Sequence, residues 1–324
     1  MDLVGRKIVL TGTTLTDLSA PKLLQVDPIE SAGSLLLIDP THPMGPWATG
    51  VPAHDTTVRN LVRTLGAQAT GLTEGQMDLT VRAGANITSG KTVMERTSKG
   101  GYHNISSRSG AVAQGDVVLD MSAELISYFL HNPTHDIYGS LWVYTTRRAV
   151  NQTHVMLGVV GQQQTNSMAL VLGPHANEAT EWIARPGFGA ELGSHVVPTG
   201  SGVGPKYISH GSPGWGSSNG IPDLGKAAPS GPVAVGGIAF GATPASLGIG
   251  LSGNRLSLHL SPLGPNANVA SSMILYRAYL EDLTVSGRTY AEVDAIDYAL
   301  YTQQVLTAGG RYYGDTFTNP STLP

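Results

Sequence analysis

The chain has 324 residues, of which only 13% are charged, with a formal net charge of -4 and no cysteine. The lack of cysteine excludes disulfides, thiolate catalysis and thiolate-bound metal clusters, and it favours folding in a reducing cytosol. The acidic balance, without any run of Lys or Arg, argues against nucleic acid as a partner because phosphate binding needs clustered cations.

The rest of the composition indicates a chain with many turns and few charges on its surface. Gly (41) and Pro (20) are both abundant, which favours short strands over long helices. A surface with few charges suits a protein that is largely covered by copies of itself or by neighbours. The opening MDLVGRKIVL is too short and polar for a signal peptide, and no apolar run approaches the roughly 18 residues of a membrane span. We therefore expect no membrane insertion.

Residues 1–70 are predicted to form an irregular arm or attachment segment. Lys7–Leu10 and Leu35–Ile38 are short strand candidates, but six prolines between Pro21 and Pro52 interrupt regular structure. Such an arm either lies across a neighbouring subunit or wraps around its own domain, and the pattern leaves both open.

Two further elements are predicted before residue 116. Apolar residues recur at helical spacing over Thr56–Ala69, and Gly66 is the predicted end of this helix. The alternation over Met77–Val81 predicts a half-buried strand. The polar interval that follows, residues 82–115, predicts short strands or an exposed insertion.

From residue 116 onwards, strand signals recur at fairly regular spacing, which is typical of a two-sheet β-sandwich. Trp142 falls inside one of these strands and is predicted to lie in the core. The run Gly200–Pro232 is long for a loop within a compact domain and therefore predicts a functional or interface role. The predicted strands are Val117–Met121, Leu125–Leu130, Ser140–Thr145, His154–Val160, Met168–Gly173, Val233–Phe240, Leu247–Leu251 and Leu256–Leu260.

The strongest strand signal is Met273–Leu280, where apolar residues point to both sides of an extended chain. This pattern predicts a central strand that is buried on both faces and ends at Glu281 and Asp282. Leu283–Val285 is predicted to add a short extended piece before a turn.

A change of period then predicts a helix. Thr289 and Glu292 fit a capping box, and Val293, Ile296 and Leu300 line one face, so the helix should lie on the sheets as a lid. Residues 311–324 are predicted to be an exposed or partner-bound tail.

Two segments carry a family resemblance. LEDLTVSGRTYAEV, Leu280–Val293, resembles the end of a laminin-G-like or concanavalin-like jelly roll. Together with PIESAGS, Pro28–Ser34, it makes the chain similar to structural proteins of tailed bacteriophages that carry such a domain. The resemblance implies an all-β, two-sheet jelly roll over residues 71–310, with a short C-terminal helix, between the N-terminal arm and the tail.

The acidic residues do not predict an enzyme. Glycanases built on such sandwiches carry their carboxylates at i and i+4 on one strand. Here Glu281 and Asp282 are adjacent and face opposite sides, while Asp116 and Asp120 straddle the start of a strand. We expect these groups to be structural and predict no catalytic residue.

No metal or cofactor is predicted either. His131 and His135 flank Asn132 and Pro133, and the proline argues against a helix that would present both imidazoles on one face. Asp136, with Asp116, Asp120 and Asn132, offers oxygens for calcium, but no loop has the dense alternation of acidic residues that such a site needs.

The stretch Lys206–Asp223 is the best candidate binding site. Aromatic rings on a polar loop can stack on a sugar while nearby polar groups meet its hydroxyls. In the competing interpretation, Trp215 fills an intersubunit seam, since interface cores favour Trp and Tyr. The candidate ligand-binding residues are Tyr207, His210, Trp215, Asn219 and Asp223.

These observations predict a structural component of a phage particle that assembles with itself and with other virion proteins. It would be made in the bacterial cytoplasm, and its expected place is the tail, the baseplate or the fibre attachment. Recognition of a host glycan by the tail and decoration of the capsid are the alternatives.

Overall fold

The computed structural model describes residues 27–42, 53–83, 92–106, 117–132, 134–148, 157–159, 170–174, 182–186, 192–198, 202–213, 233–235, 238–240, 248–250 and 272–323. The strands of these residues, in chain order, are β1 (Ser34–Ile38), β2 (Thr57–Val58), β3 (Leu79–Ala83), β4 (Thr92–Arg96), β5 (Tyr102–Ser106), β6 (Val117–Asp120), β7 (Ile137–Arg147), β8 (Leu157–Val159), β9 (Leu170–Pro174), β10 (Trp182–Pro186), β11 (Gly193–Val197), β12 (Gly204–Ser212), β13 (Val233–Val235), β14 (Ile238–Phe240), β15 (Gly248–Gly250) and β16 (Ser272–Asp282). The helices are α1 (Arg63–Thr70), α2 (Ala123–His131), α3 (Leu283–Ser286) and α4 (Tyr290–Tyr301), with 3-10 turns at Glu74–Met77 and Pro320–Thr322 and a π-helical turn at Thr302–Leu306.

Strand β16 is the centre of the first sheet, whose order is β11-β12-β7-β16-β5-β4. It pairs antiparallel with β7 along one edge, while β5 and β1 share its other edge. Every residue of β16 is buried, as the apolar residues on both of its faces require. The prediction of a central strand that ends at Asp282 is confirmed.

The second sheet has the order β10-β9-β8-β15-β6-β3-β2, and β13 and β14 form a separate hairpin. Strands β9 and β10 lie against β7 and β12 of the first sheet. All pairings among the described strands are antiparallel, and helices are few, which confirms a mostly β, sandwich-like chain. Leu256–Leu260 and Lys7–Leu10 lie outside the described residues.

Helix α4 begins at the predicted capping box. The Thr289 hydroxyl accepts from the Glu292 amide at 3.3 Å, and the Glu292 carboxylate accepts from the Thr289 amide at 2.8 Å. Val293 is buried in a cluster with residues of β1, β7 and β16, against which Ile296 and Leu300 pack. The prediction of a helix that covers the sheet is confirmed.

Two segments predicted to be extended are helical. Leu125–Leu130 belongs to α2, because Ser122 caps that helix by accepting from the Leu125 amide at 3.0 Å, and a short apolar run does not distinguish a strand from a buried helix. Leu283–Val285 belongs to α3, because Asp282 accepts from the Val285 amide at 3.0 Å.

Glycine has a packing role in α1. The prediction that Gly66 ends this helix is wrong, since Gly71, in the left-handed conformation at φ 74°, ends it instead. A Cβ added at Gly66 would lie 2.5 Å from Met77 Cε and 3.2 Å from the Leu35 carbonyl oxygen. Gly66 therefore lets α1 approach β1 closely.

The described parts of the predicted arm and tail pack on the first sheet. Leu36 and Leu37 of β1 pair with Leu280 and Tyr279 of β16 and are buried, so this part of the arm wraps around its own domain. Tyr312 is also buried, and its hydroxyl donates to Asp39 Oδ1 at 2.8 Å. At this residue the segment predicted to be an exposed or partner-bound tail is buried in its own domain.

Candidate functional site

The candidate loop Lys206–Asp223 is, in its described part, a strand. Lys206–Ser212 belongs to β12, which pairs with β7 on one side and β11 on the other, so the prediction of a loop is wrong there. Its Gly211 makes room for α4, since an added Cβ would lie 2.7 Å from Cδ2 of Tyr290. Glycine at this position thus permits close packing rather than a flexible loop.

The structure places two of the five candidate ligand-binding residues inside the protein. Tyr207 and His210 are fully buried on β12, and the Tyr207 hydroxyl donates to Asp294 Oδ1 at 2.7 Å. Trp215, Asn219 and Asp223 lie outside the described residues.

The acidic and histidine candidates have structural partners. Asp282 Oδ2 accepts from the Tyr128 hydroxyl at 2.7 Å and lies 2.6 Å from His135 Nδ1. Glu281 pairs with Arg288, which also donates to the Ile29 carbonyl oxygen. Within the described ranges, no group of three or more His, Asp or Glu side chains is arranged to hold a metal ion.

A network that we call the sealed cluster lies under α4. Asp297 is fully buried and accepts from Trp142 Nε1 at 3.1 Å and from the Tyr138 hydroxyl at 3.2 Å. Asp294 accepts from Ser209 and Tyr207. Trp142 was predicted to be a core residue, and its full burial confirms this. Burial raises the pKa of Asp297 despite the nearby charge of Arg277.

A cavity of about 530 Å³ lies beside the sealed cluster, with Trp142 and Arg277 in its walls. We call it the arginine pocket. Its walls combine carboxylates, guanidinium groups and amides with apolar side chains. The lining residues are Asp27, Pro28, Glu30, Leu37, Asp39, His42, Leu61, Trp142, Arg277, Leu300, Gln303, Gln304 and Arg311.

Arg277 is the most buried charge of the pocket, with 2% of its side chain exposed. Its Nη1 and Nη2 donate to Asp27 Oδ2 and Oδ1 at 2.7 and 2.9 Å, and its guanidinium carbon lies 4.7 Å from the ring centroid of Trp142. Burial alone would lower the pKa of Arg277, but the hydrogen bonds and charge of Asp27 outweigh it and raise this pKa. Arg277 therefore remains a cation.

The carboxylates of the pocket respond differently to this cation. Burial alone would raise the pKa of Asp27, but the hydrogen bonds and charge of Arg277 outweigh it, so this pKa is lowered. Burial dominates at Glu30 and raises its pKa. The pocket thus holds one firmly ionised carboxylate beside one that binds a proton more readily.

The segment that follows α4 forms part of the pocket wall. Arg311 Nη2 donates to Asp39 Oδ2 at 2.5 Å, and the Arg311 amide donates to Gln304 Oε1 at 3.3 Å. Gln303 is exposed on the π-helical turn, a kind of turn that is frequent at functional sites.

Comparison with known proteins identifies no family. No protein-family model matches the chain, and no curated protein matches its sequence. Among solved structures, the chain is similar to one titled "Crystal structure of botulinum neurotoxin serotype D/C VPI 5993 binding domain", with 8% identity and a TM-score of 0.31. The match covers 82% of this chain and 53% of that one, so this chain spans about half the length of that structure. A likeness at this level carries no functional information.

Sequence reasoning missed the arginine pocket, although one signal points to it. Arg277 lies in the middle of a strand whose two faces were both predicted to be buried. Buried arginines are paired, so a carboxylate partner elsewhere in the chain was implied. The sequence separation of 250 residues between Arg277 and Asp27 hid which carboxylate it was.

Proposed function

We propose that this chain is a structural component of a tailed bacteriophage particle and acts through protein–protein assembly. Its β-sandwich would be a jelly roll of the concanavalin-like or laminin-G-like kind. The tail, the baseplate or the fibre attachment is the proposed place, with capsid decoration second. The resemblance of Pro28–Ser34 and Leu280–Val293 to such proteins and the low charge of the chain support this proposal.

One observation supports the assembly role: many of the described arginines bind partners within the domain. In a chain with 19 Lys and Arg in total, several described arginines are used to hold segments of the domain together. Fewer charges then remain to keep the surface solvated, and depletion of charge is a property of interface cores. The arginines with such internal partners are Arg63, Arg96, Arg147, Arg277, Arg288 and Arg311.

Among the described residues, no helix has both the length and the apolar character needed to cross a membrane. The proposed self-assembly has a direct test in solution. Sedimentation velocity of the full chain, over a wide range of concentrations, should show a closed oligomer, with a trimer or hexamer expected. A monomer at every concentration would contradict assembly with itself.

The place in the particle has a separate test. Mass spectrometry of purified phage particles should find the chain in a fixed ratio to the other tail proteins. Its absence from intact particles would rule out a virion component, whatever the oligomeric state of the isolated chain.

Glycan recognition through the Lys206–Asp223 stretch ranks lower. Two of its five contact residues, Tyr207 and His210, are buried, and a buried ring cannot stack on a sugar in solution. Loss of binding on a glycan array in Trp215→Ala, with assembly intact, would reverse this ranking. Normal glycan binding combined with failed incorporation into particles would instead place Trp215 in a subunit seam.

A further inference from the structure

The charged and amide side chains of the arginine pocket come from three separate parts of the chain. Asp27, Glu30 and Asp39 come from the segment around β1, Arg277 from β16, and Gln303 and Gln304 with Arg311 from the turn after α4. Convergence of polar groups in one concave site is the usual form of a small-molecule site, and about 530 Å³ lies within the common range of roughly 300–1,000 Å³.

Each arginine of the pocket is paired with a neighbouring carboxylate. Arg277 is paired with Asp27, and Arg311 is paired with Asp39. The remaining carboxylate, Glu30, accepts a hydrogen bond from the Asp27 amide at 3.3 Å. A phosphate would meet these carboxylates and an organic cation would meet the arginines, so a ligand of either charge meets like charges in the pocket.

The walls nevertheless retain hydrogen-bonding capacity. The Glu30 carboxylate, which lines the pocket, is only half-buried and can accept a further hydrogen bond. Gln303 adds an exposed amide, which both donates and accepts. The ligand that fits such walls offers several donors and acceptors but no net charge.

The pocket also has apolar walls. Pro28, Leu37, Leu61 and Leu300 line it beside the polar groups. A pyranose ring matches this combination, because its C–H face contacts apolar side chains while its hydroxyls donate and accept hydrogen bonds.

From these contacts we propose that the arginine pocket binds a short neutral saccharide. Glu30 accepts from one sugar hydroxyl and Gln303 bonds to another, while the Arg277–Asp27 pair holds the floor of the pocket rigid. This role goes beyond assembly and does not depend on it.

Isothermal titration of the full chain with maltose, lactose and sucrose tests the proposal, with inorganic phosphate and spermidine as charged probes. At least one neutral disaccharide should bind, and neither charged probe should compete with it. Binding of phosphate or spermidine at this pocket in place of the sugars, or no binding of any of the three disaccharides, overturns the proposal.

Two variants locate the site. Glu30→Gln and Gln303→Ala should each weaken saccharide binding about tenfold, which is the usual effect of one lost hydrogen bond to a ligand. Gln68→Ala, which removes an exposed glutamine from α1, is the matched control and should bind normally. Equal affinity in all three variants would show that the sugar binds elsewhere. Sedimentation of the same samples separates a loss of the pocket from a loss of assembly.

Discussion

Asp27 and Asp297 both lie close to Arg277, and their environments differ. Asp27 makes two hydrogen bonds to Arg277 and is 25% exposed at the pocket wall. Asp297 is fully buried in the sealed cluster, 3.9 Å from Arg277 Nε, and its partners are neutral groups such as Trp142 and Tyr138. Direct contact with the cation lowers the pKa of one carboxylate, while burial among neutral donors raises the pKa of the other. The comparison shows that direct contact through two hydrogen bonds decides which carboxylate is the counterion of Arg277.

Removal of the shared cation should have the largest effect. Arg277→Met leaves two carboxylates without their cation in or near the core, so we expect a loss of about 3–5 kcal/mol in the free energy of unfolding. Urea unfolding followed by tryptophan fluorescence measures this loss. Arg63→Met is the control, because Arg63 is 26% exposed and an ion pair at such a site contributes only about 0–1 kcal/mol. Equal losses in both variants would contradict the special role of Arg277.

Asp27→Asn should have the next largest effect. It keeps the shape of the side chain but removes the charge that compensates Arg277, and we expect a loss of about 2 kcal/mol, reduced from the fully buried case by the exposure of Asp27. The same urea titration gives the value. A loss no greater than that of Asp297→Asn would show that Asp27 is not the true counterion.

Asp297→Asn should cost less, within about 1 kcal/mol. The amide oxygen can still accept from Trp142 Nε1, and a hydroxyl such as that of Tyr138 can turn to accept from the new amide. Equilibrium urea unfolding beside Asp27→Asn is the measurement. A loss well above that of Asp27→Asn would mean that Asp297 is the ionised partner and would reverse the comparison.

The smallest expected effect is on how the free energy of unfolding changes at acidic pH. Here Asp27 and Asp297 act in opposite directions. The pKa of Asp27 is lowered in the fold, so its stabilisation is complete above the unfolded pKa and is lost as pH falls through the folded pKa. The pKa of Asp297 is raised, so its contribution is complete below the unfolded pKa and is lost as pH rises through the folded pKa. In the wild type the two contributions therefore partly offset each other.

Urea midpoints measured between about pH 3 and 6 should separate the two contributions. Asp27→Asn should flatten the loss of stability on acidification, and Asp297→Asn should make it steeper. Parallel curves for the two variants would indicate that neither carboxylate titrates as described.

The elements that local pattern predicts well are those in which every neighbouring residue favours the same structure. Strand β16 is apolar on both faces, and α4 has both a capping box and a regular apolar stripe, so neither needs a distant contact to be recognised. Helix α2 was missed because an apolar run of that length fits a strand as well as a helix until the Ser122 cap is seen. Strand β12 was missed because its glycine and polar residues are typical of loops.

By itself the sequence determined a mostly β chain without cysteine, with a central strand at Met273–Leu280 and a capped helix after it, since these properties follow from composition and short-range period. Only the tertiary structure decided that β12 runs between β7 and β11, that Tyr207 is buried under α4, and that Asp27 meets Arg277. Each of these depends on contacts between residues far apart in the chain. Local propensity contains no information about such contacts. A buried charge is stable only when an oppositely charged group lies beside it.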